Sequence, residues 1–403
     1  MTDRAAPSRR LLLLGTAAAA TGVLMPPAVR GQAGAPIRLG TLTPLTGSGG
    51  SYGPTMVRTV RAVIDEVNAA GGVLGRKIEL ISEDDQTNPE AGVRAARKLI
   101  DVDRVTAILG TWASSVTTAV APLCWESKTF LATVSGADAI TLLPHQGYLV
   151  RTQPNTTLQG RKFGEFAIDQ KAKRVFFLSP QTPFAKSQYE NISAAVKKAG
   201  GETAQLIYDD KKPSYRTEVD EALRFKPDAI IFGGYTNDTN VMLKDVFRAG
   251  FAGVKIGFGY SINQKLVESV PADVVEKSFT ISPSSAEGSP AYARLTKLIG
   301  VTSPDPYTTQ IYDQINLILM AIAVAGEASG TAIKDNIRKV SQAPGGAKVS
   351  NALDGLKAIA AKQPVDYDGA SGPCDFTDLG DISDSNFRYE QVRDGKIALV
   401  KVA

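Results

Sequence analysis

The chain has 403 residues, of which 43% are hydrophobic and 21% are charged. At roughly 150 residues per domain this length predicts two or three domains, and the composition excludes a disordered or collagen-like chain. The formal charge is +4, but residues 36–403 hold 41 basic and 40 acidic side chains, so the body of the chain gives no electrostatic case for nucleic-acid binding. One histidine and two cysteines are too few for a structural zinc site, and we expect neither a metal nor a cofactor.

Residues 1–35 have the layout of a secretory signal. Arg9 and Arg10 precede an apolar run over residues 11–24, and small residues follow at 33–35. The paired arginines predict a twin-arginine signal peptide and export to the periplasm. The apolar run is shorter than the ~20 residues that a membrane span needs, which leaves a retained anchor as the weaker alternative.

From residue 37 onward, predicted strands alternate with amphipathic helices. The strands are predicted at 37–42, 77–82, 106–110, 129–134, 174–179, 204–208, 228–232 and 254–258. This alternation predicts an α/β protein with doubly wound parallel sheets. The number of strands favours two sheets, with boundaries near 148–154 and 281–290. Residues 311–325 are interpreted as a buried core helix, and the glycine-rich tail at 366–400 predicts hairpins.

The chain carries few candidates for catalysis. A Ser-His-Asp triad would have to use His145, which stands beside a proline in a sequence typical of a surface turn. There is no Walker A motif, and Gly47-x-Gly49 has Tyr52 where a dinucleotide fingerprint needs its third glycine. Cys124 lies in a helical pattern and is interpreted as a buried free thiol, although a disulfide with Cys374 stays open.

Polar loops follow two neighbouring predicted strands. One loop contains Trp112, Ser114 and Ser115, and the other contains Ser135 and Asp138. In open α/β sheets, loops at the carboxyl ends of strands form the ligand crevice, and the helix N-termini there favour a carboxylate. The alternative is that Ser114, Ser115 and Asp138 are ordinary helix N-caps.

Aromatic side chains also follow the ends of predicted strands. They are Tyr52, Phe184, Tyr235 and Tyr260. Small-ligand sites are mostly apolar and aromatic with a few polar groups, so these rings are predicted to line the same crevice.

Several motifs together resemble the type I periplasmic solute-binding proteins of ABC transporters, specifically the branched-chain amino acid (Leu/Ile/Val) receptors. The most specific is Gly71-Gly72-Val73-Leu74-Gly75-Arg76, within residues 68–80; residues 40–47, 113–115, 233–235 and 367–372 add to it. The resemblance implies two α/β lobes joined by a three-segment hinge and closing on a ligand. Its implied lobes are 36–153 with 282–384, and 154–281 with 385–403.

The same resemblance implies roles for individual residues. Ser114 and the loop of Ser135, Gly136 and Ala137 would hold the ligand's carboxylate. The aromatic residues that would close over the ligand are Tyr52, Phe184, Tyr235 and Tyr307.

One position departs from the family pattern. The amino acid receptors place an acid after the strand matching 254–258, where it pairs with the ligand's ammonium, but this chain has Gly259 and Tyr260 there. A buried ammonium without a partner is costly. Either Asp238 replaces the missing acid, or the ligand is an aromatic or other small organic acid without an α-ammonium.

These observations predict an exported, monomeric receptor that binds a small carboxylate-bearing ligand and delivers it to an ABC permease at the membrane. The alternatives are a ligand-sensing module for a membrane receptor and, less favoured, a secreted hydrolase. Neither nucleic acid nor a cofactor is an expected partner.

Overall fold

The computed structural model describes residues 34–403, so the predicted signal peptide lies outside the described residues except for its last two positions. The strands are β1 Ile37–Thr43, β2 Ile78–Asp84, β3 Ala107–Leu109, β4 Phe130–Thr133, β5 Leu149–Arg151, β6 Arg174–Pro180, β7 Glu202–Tyr208, β8 Ala229–Phe232, β9 Val254–Phe258, β10 Phe279–Pro283, β11 Ala347–Val349, β12 Val365–Tyr367, β13 Phe387–Arg393 and β14 Lys396–Val402. The helices are α1 Gly53–Ala69, α2 Pro89–Arg97, α3 Ser114–Ser127, α4 Thr156–Asp169, α5 Pro183–Lys198, α6 Arg216–Arg224, α7 Thr236–Arg248, α8 Gln264–Glu268, α9 Ala272–Val275, α10 Pro290–Ile299, α11 Pro306–Ala325, α12 Gly330–Ser341 and α13 Ala352–Ala360.

The first lobe is built on a five-stranded parallel sheet. Its strand order is β2-β1-β3-β4-β5. Strands β3, β4 and β5 are buried along their whole length. Burial along the whole strand is typical of parallel sheets, because helices cover both faces of such a sheet.

The second lobe is built on a seven-stranded sheet. Its order is β14-β13-β10-β9-β8-β6-β7, and β13 runs antiparallel to both β10 and β14. The β13–β14 pair is the hairpin expected in the tail of the chain. Strand β12 forms no hairpin but pairs in parallel with β11 in a separate two-stranded sheet. The α/β fold with two doubly wound lobes is therefore confirmed.

The chain passes between the two sheets three times. We name these segments the first crossing (residues 152–155), the second crossing (residues 284–289) and the third crossing (residues 383–386). The second and third lie side by side, because the Ser284 N–H donates to the Asn386 carbonyl at 2.8 Å. Each crossing joins the carboxyl end of one sheet to the other, which brings those ends face to face. The lobe limits at 153/154, 281/282 and 384/385 remain predictions.

Helix α11 is the central helix of the first lobe and, as predicted, a core helix. Its residues from Tyr307 to Ile322 are all buried. Within residues 34–403 no single helix is long and apolar enough to cross a membrane. Helices α11 and α12 reach the necessary length and apolar composition only when taken together, and the chain bends by 105° between them.

Two expectations about single residues have opposite outcomes. Cys124 and Cys374 are free and buried, and burial raises the pKa of the Cys124 thiol to about 12. The expectation of a surface turn at His145 is wrong, because this side chain is only 6% exposed. Its Nδ1 accepts a hydrogen bond from the Gly147 N–H at 3.2 Å, and burial lowers its pKa.

Candidate ligand-binding site

A cavity lies between the facing carboxyl ends of the two sheets. It lies where parallel α/β sheets place their ligands. The residues that line it are Trp112, Ala113, Ser114, Ser115, Val134, Gly136, Gln153, Pro180, Thr182, Phe184, Gly233, Tyr235, Tyr260 and Tyr307.

The first wall of the cavity is the N-terminus of α3. The N-cap residue of this helix is Ala113, which has no side chain able to cap it, and Ala113, Ser114 and Ser115 all line the cavity. The interpretation of Ser114 and Ser115 as N-caps is therefore wrong. The N–H groups of a helix's first turn have no acceptor within the helix and carry partial positive charge. This wall is suited to a carboxylate.

The loop after β4 completes this wall, but not all of its residues reach the cavity. Gly136 lines it, and a Cβ atom at this position would lie 2.8 Å from Phe184 Cε2, so a larger residue would force the two lobes apart. Ser135 is fully buried and its hydroxyl bonds the Thr111 and Trp112 carbonyls, each at 2.9 Å. The Ala137 N–H donates to Ser114 Oγ at 3.2 Å. The structure thus places Ser135 and Ala137 behind the wall as supports.

Aromatic rings from both lobes form the opposite walls. Trp112 is only 7% exposed because tyrosines surround it. In the first lobe its ring centroid lies 5.4 Å from Tyr52 and 5.6 Å from Tyr307. Across the cleft it lies 5.8 Å from Tyr235 and 5.9 Å from Tyr260. Contacts at these distances join the lobes directly, so the structure is a closed form.

The aromatic residues predicted from the sequence therefore come together at one place. Phe184, Tyr235, Tyr260 and Tyr307 line the cavity, whereas Tyr52 packs behind it, 5.0 Å from the Tyr307 ring. Burial raises the pKa of Tyr235 to about 12, so its ring faces the cavity as a neutral phenol.

The second lobe offers no carboxylate to a bound ammonium group. The lining set contains no Asp, Glu, Lys, Arg or His. Asp238 is not brought to the cavity: its Oδ1 accepts from the Tyr215 hydroxyl and the Lys211 N–H, both at 2.9 Å. The position that departs from the family pattern is filled by Tyr260, whose hydroxyl donates to the Gly233 carbonyl at 3.3 Å.

The sequence did not point to three residues that line the cavity, namely Gln153, Thr182 and Pro180. Gln153 lies in the first crossing, and its Oε1 accepts from Gln310 Nε2 at 2.6 Å. Thr182 caps α5 by accepting from the Ala185 N–H, and Pro180 ends β6. The only available signal was their position after a strand, which many structural residues share.

No group of three His, Cys, Asp or Glu side chains that could hold a metal ion occurs in residues 34–403. His145, the sole candidate base of a triad, does not line the cavity. The arrangement can bind a small molecule but has no general base or nucleophile activated by one.

Comparisons with known proteins agree with this architecture. A family model described as periplasmic binding protein matches residues 36–377. The Leu/Ile/Val-binding protein BraC3 of Rhizobium johnstonii is 25% identical over 312 residues, which are 75% of this chain and 84% of the relative. The chemotactic signal transduction system substrate-binding protein BasB of Halobacterium salinarum is 25% identical, covering 86% of this chain and 84% of the relative.

Solved structures show the same fold. A leucine binding protein LivK from Thermotoga maritima superposes with a TM-score of 0.78 at 20% identity, over 91% of this chain and 98% of that one. A solute binding protein of an ABC transporter from R. palustris, in complex with benzoate, has a TM-score of 0.74 at 17% identity, over 91% and 96% of the two chains.

Proposed function

Because the chain belongs to the periplasmic binding protein family, we propose that it is the exported receptor of an ABC importer. It captures a small carboxylate-bearing ligand between its lobes and delivers it to a membrane permease. Residues 1–35 direct it to the periplasm by the twin-arginine route, and it acts as a monomer without enzymatic activity. Ligand contacts that exist only when the lobes are closed shift the open–closed equilibrium.

The observation that carries this proposal is the division of the cavity into two chemically different walls. The uncapped N-terminus of α3, with the hydroxyls of Ser114 and Ser115, provides hydrogen-bond donors and partial positive charge for one end of the ligand. The rings of Phe184, Tyr235 and Tyr260 provide an apolar surface for the other end.

The ligand that fits these walls best is an aromatic or other small organic acid without an α-ammonium. An ammonium group would enter a cavity whose lining holds no carboxylate, and its desolvation would not be compensated. Asp238, the candidate substitute, is held by Tyr215 and the Lys211 backbone. The benzoate-bound structure on the same fold supports this choice.

A sensing role is the second candidate, and the relative BasB supports it, since its name places it in chemotactic signal transduction. A sensor and a transport receptor need the same cavity and the same closure. They differ in the membrane protein that docks on the closed form, so co-purification of a permease or of a chemoreceptor separates the two roles.

Thermal unfolding against matched pairs of ligands tests the proposal. 3-Phenylpropanoate and phenylalanine differ only by the ammonium group, as do 4-methylpentanoate and leucine, whereas benzoate and benzamide differ in the carboxylate. A ligand that binds only the folded state, present at about 100 times its Kd, adds about 2.7 kcal/mol to the unfolding free energy. We expect the acids to raise Tm and the amino acids and benzamide to leave it unchanged. A larger shift with leucine than with 4-methylpentanoate would mean that the site does accept an ammonium.

Substitutions on the first wall test the carboxylate assignment. Ser114→Ala and Ser115→Ala each remove one hydroxyl, and each should weaken binding of a stabilising acid by ~1–3 kcal/mol, because a bond to a buried charged group is lost. Isothermal titration calorimetry measures the loss. Unchanged affinity in both variants would place the carboxylate elsewhere.

A further inference from the structure

Asp138 follows the loop of Ser135, Gly136 and Ala137 and belongs to the first lobe, yet its carboxylate bonds only to the second lobe. Its Oδ1 accepts from the Thr157 N–H at 3.0 Å. Its Oδ2 accepts from the hydroxyls of Thr157 and Ser187, each at 3.0 Å, and from Asn191 Nδ2 at 2.9 Å. Four donors from α4 and α5 thus converge on one side chain, so the interpretation of Asp138 as an ordinary N-cap is wrong.

The donors come from two helices that meet beside the first crossing, where the Ser187 hydroxyl also bonds the Thr156 hydroxyl. Thr157 stands beside the first crossing, where rotation of the lobes moves atoms least. Ser187 and Asn191 lie about one and two turns into α5, which packs on β6 and β7 of the second sheet. Movement of α5 away from the first lobe would therefore break the bonds from Ser187 and Asn191 to Asp138.

The chemistry of this junction requires a carboxylate. Burial alone would raise the pKa of Asp138, but hydrogen bonds from Thr157, Asn191 and Thr156 bring it below its usual range. An ionised carboxylate only accepts hydrogen bonds, which matches a set of partners that only donate to it. An asparagine there would turn an amide N–H₂ toward donors and leave them without an acceptor.

The same junction sets the distance between two walls of the ligand cavity. Asp138 comes directly after the loop that contains Gly136, and Ser187 is three residues beyond Phe184 on α5. A Cβ atom at Gly136 would be only 2.8 Å from the Phe184 ring, so the backbone of one lobe lies against an aromatic wall of the other. Bonds from Asp138 to α5 keep these two surfaces together.

We propose that Asp138 is a positioning residue, which fastens α5 to the carboxylate-binding loop and thereby holds the lobes closed without touching the ligand. Its effect on ligand retention rests on the proposed function, whereas its effect on lobe separation does not.

The experiment measures lobe separation and ligand release in the mature protein. Leu142 and Ile207 are 69% and 52% exposed and border one groove from opposite lobes. The variant Leu142→Cys/Ile207→Cys carries one spin label at each position, and pulsed electron paramagnetic resonance gives the distance between the two labels with and without benzoate. The variants are Asp138→Asn and, as a milder change, Asn191→Ala, with Asp101→Asn as a control at an exposed acid. Circular dichroism and Tm establish that each variant is folded.

We expect Asp138→Asn without ligand to shift the label distances toward longer values, Asn191→Ala to shift them less, and the control to match the parent. With benzoate, we expect Asp138→Asn to release the ligand roughly tenfold faster at a similar association rate, because bonds that form only after the first encounter act mainly on dissociation. Unchanged distances in a folded Asp138→Asn protein overturn the inference. If the distances lengthen but benzoate binds neither parent nor variant, the inference stands and the proposed ligand class fails.

Discussion

At the scale of single residues, Asp85 is a carboxylate that the fold buries with little compensation. It is fully buried, its Oδ1 accepts from the Thr87 N–H at 2.7 Å, and its Oδ2 has no partner among the described residues. Burial raises its pKa from 3.8 to about 7, an effect that this one hydrogen bond only partly offsets. The folded protein therefore keeps the Asp85 proton at pH values where the unfolded chain has released it.

This raised pKa predicts how stability depends on pH. The contribution of Asp85 is fully present below about pH 4 and is lost as the pH rises through about 7, because the folded state then has to bury a charge. The loss is at most about 4 kcal/mol, at about 1.4 kcal/mol per pKa unit. Urea unfolding should give a lower free energy at about pH 8 than at about pH 5, and Asp85→Asn should flatten this difference.

Asp85→Asn will remove only part of the pH dependence of the unfolding free energy. Burial also raises the pKa of Asp313, to about 6, so this residue likewise lowers stability as the pH rises. Asp101→Asn, at an exposed position, is the matched control and should keep the parental pH dependence. An Asp85→Asn protein that loses as much stability as the parent between the two pH values would contradict the assignment.

The site residues divide into those that the sequence could predict and those that it could not. Tyr235 and Tyr260 were predictable because a large ring directly after a parallel strand falls at the ligand edge of the sheet. Asp138 and Gln153 were not, since their partners lie on α5 and α11, far away in the chain. His145 looked like a surface residue because burial of a turn by distant segments leaves no local pattern.

At the scale of secondary structure elements, α3 and α7 differ from most of the other helices. A side chain caps α2, α4, α5, α8, α10, α11, α12 and α13. The N-cap residues of α3 and α7 are Ala113 and Tyr235, neither of which makes a side-chain cap bond, and both residues line the cavity. Uncapped N-termini at a cavity leave their donors to a ligand.

Prediction of these elements from the sequence was good where the periodicity is strong. Strand β9 has the predicted bounds, and β1 and β6 differ by one residue at the end. The short strands β11 and β12 were not predicted as a pair. Three residues carry too little pattern, and their pairing depends on how α12 and α13 pack around them.

A buried ion pair links β5 to Asp381, two residues before the third crossing. Arg151, 1% exposed, donates from Nε to Asp381, from Nη1 to the Ala137 carbonyl at 2.7 Å and from Nη2 to Thr141 Oγ1 at 2.9 Å. The guanidinium therefore holds the loop of Ser135, Gly136 and Ala137 against the end of the first sheet.

Removal of both partners from this pair should cost less stability than the two single removals added together. Arg151→Met leaves Asp381 buried without its cation and should lower the unfolding free energy by about 3–5 kcal/mol. Arg151→Met/Asp381→Asn removes both charges, so it should lose less than the sum of the single variants. A double-mutant cycle by urea unfolding measures the coupling, and additive losses would show that the pair is not coupled.

At the scale of the whole molecule, the two lobes touch mainly through aromatic rings and the Asp138 junction, and three crossings connect them. The resemblance to the Leu/Ile/Val receptors implied this architecture, but composition and strand count alone led only to two sheets. The closed arrangement itself depends on side-chain contacts between distant segments, such as Trp112 with Tyr235 and Tyr260.

These contacts make Trp112 a reporter of closure. Opening would separate its ring from Tyr235 and Tyr260 and expose it to water, so binding of 3-phenylpropanoate should shift its emission to shorter wavelength. The chain has two tryptophans, and Trp125 lies on α3 outside the cavity lining. Excitation at about 295 nm selects tryptophan, because neither tyrosine nor the ligand absorbs appreciably there. The emission shift should appear in Trp125→Phe and be absent in Trp112→Phe. A rise in Tm with 3-phenylpropanoate confirms that each variant still binds it. A shift that survives in Trp112→Phe and disappears in Trp125→Phe would mean that binding acts on α3 itself, and that the movement of the lobes is not what the fluorescence reports.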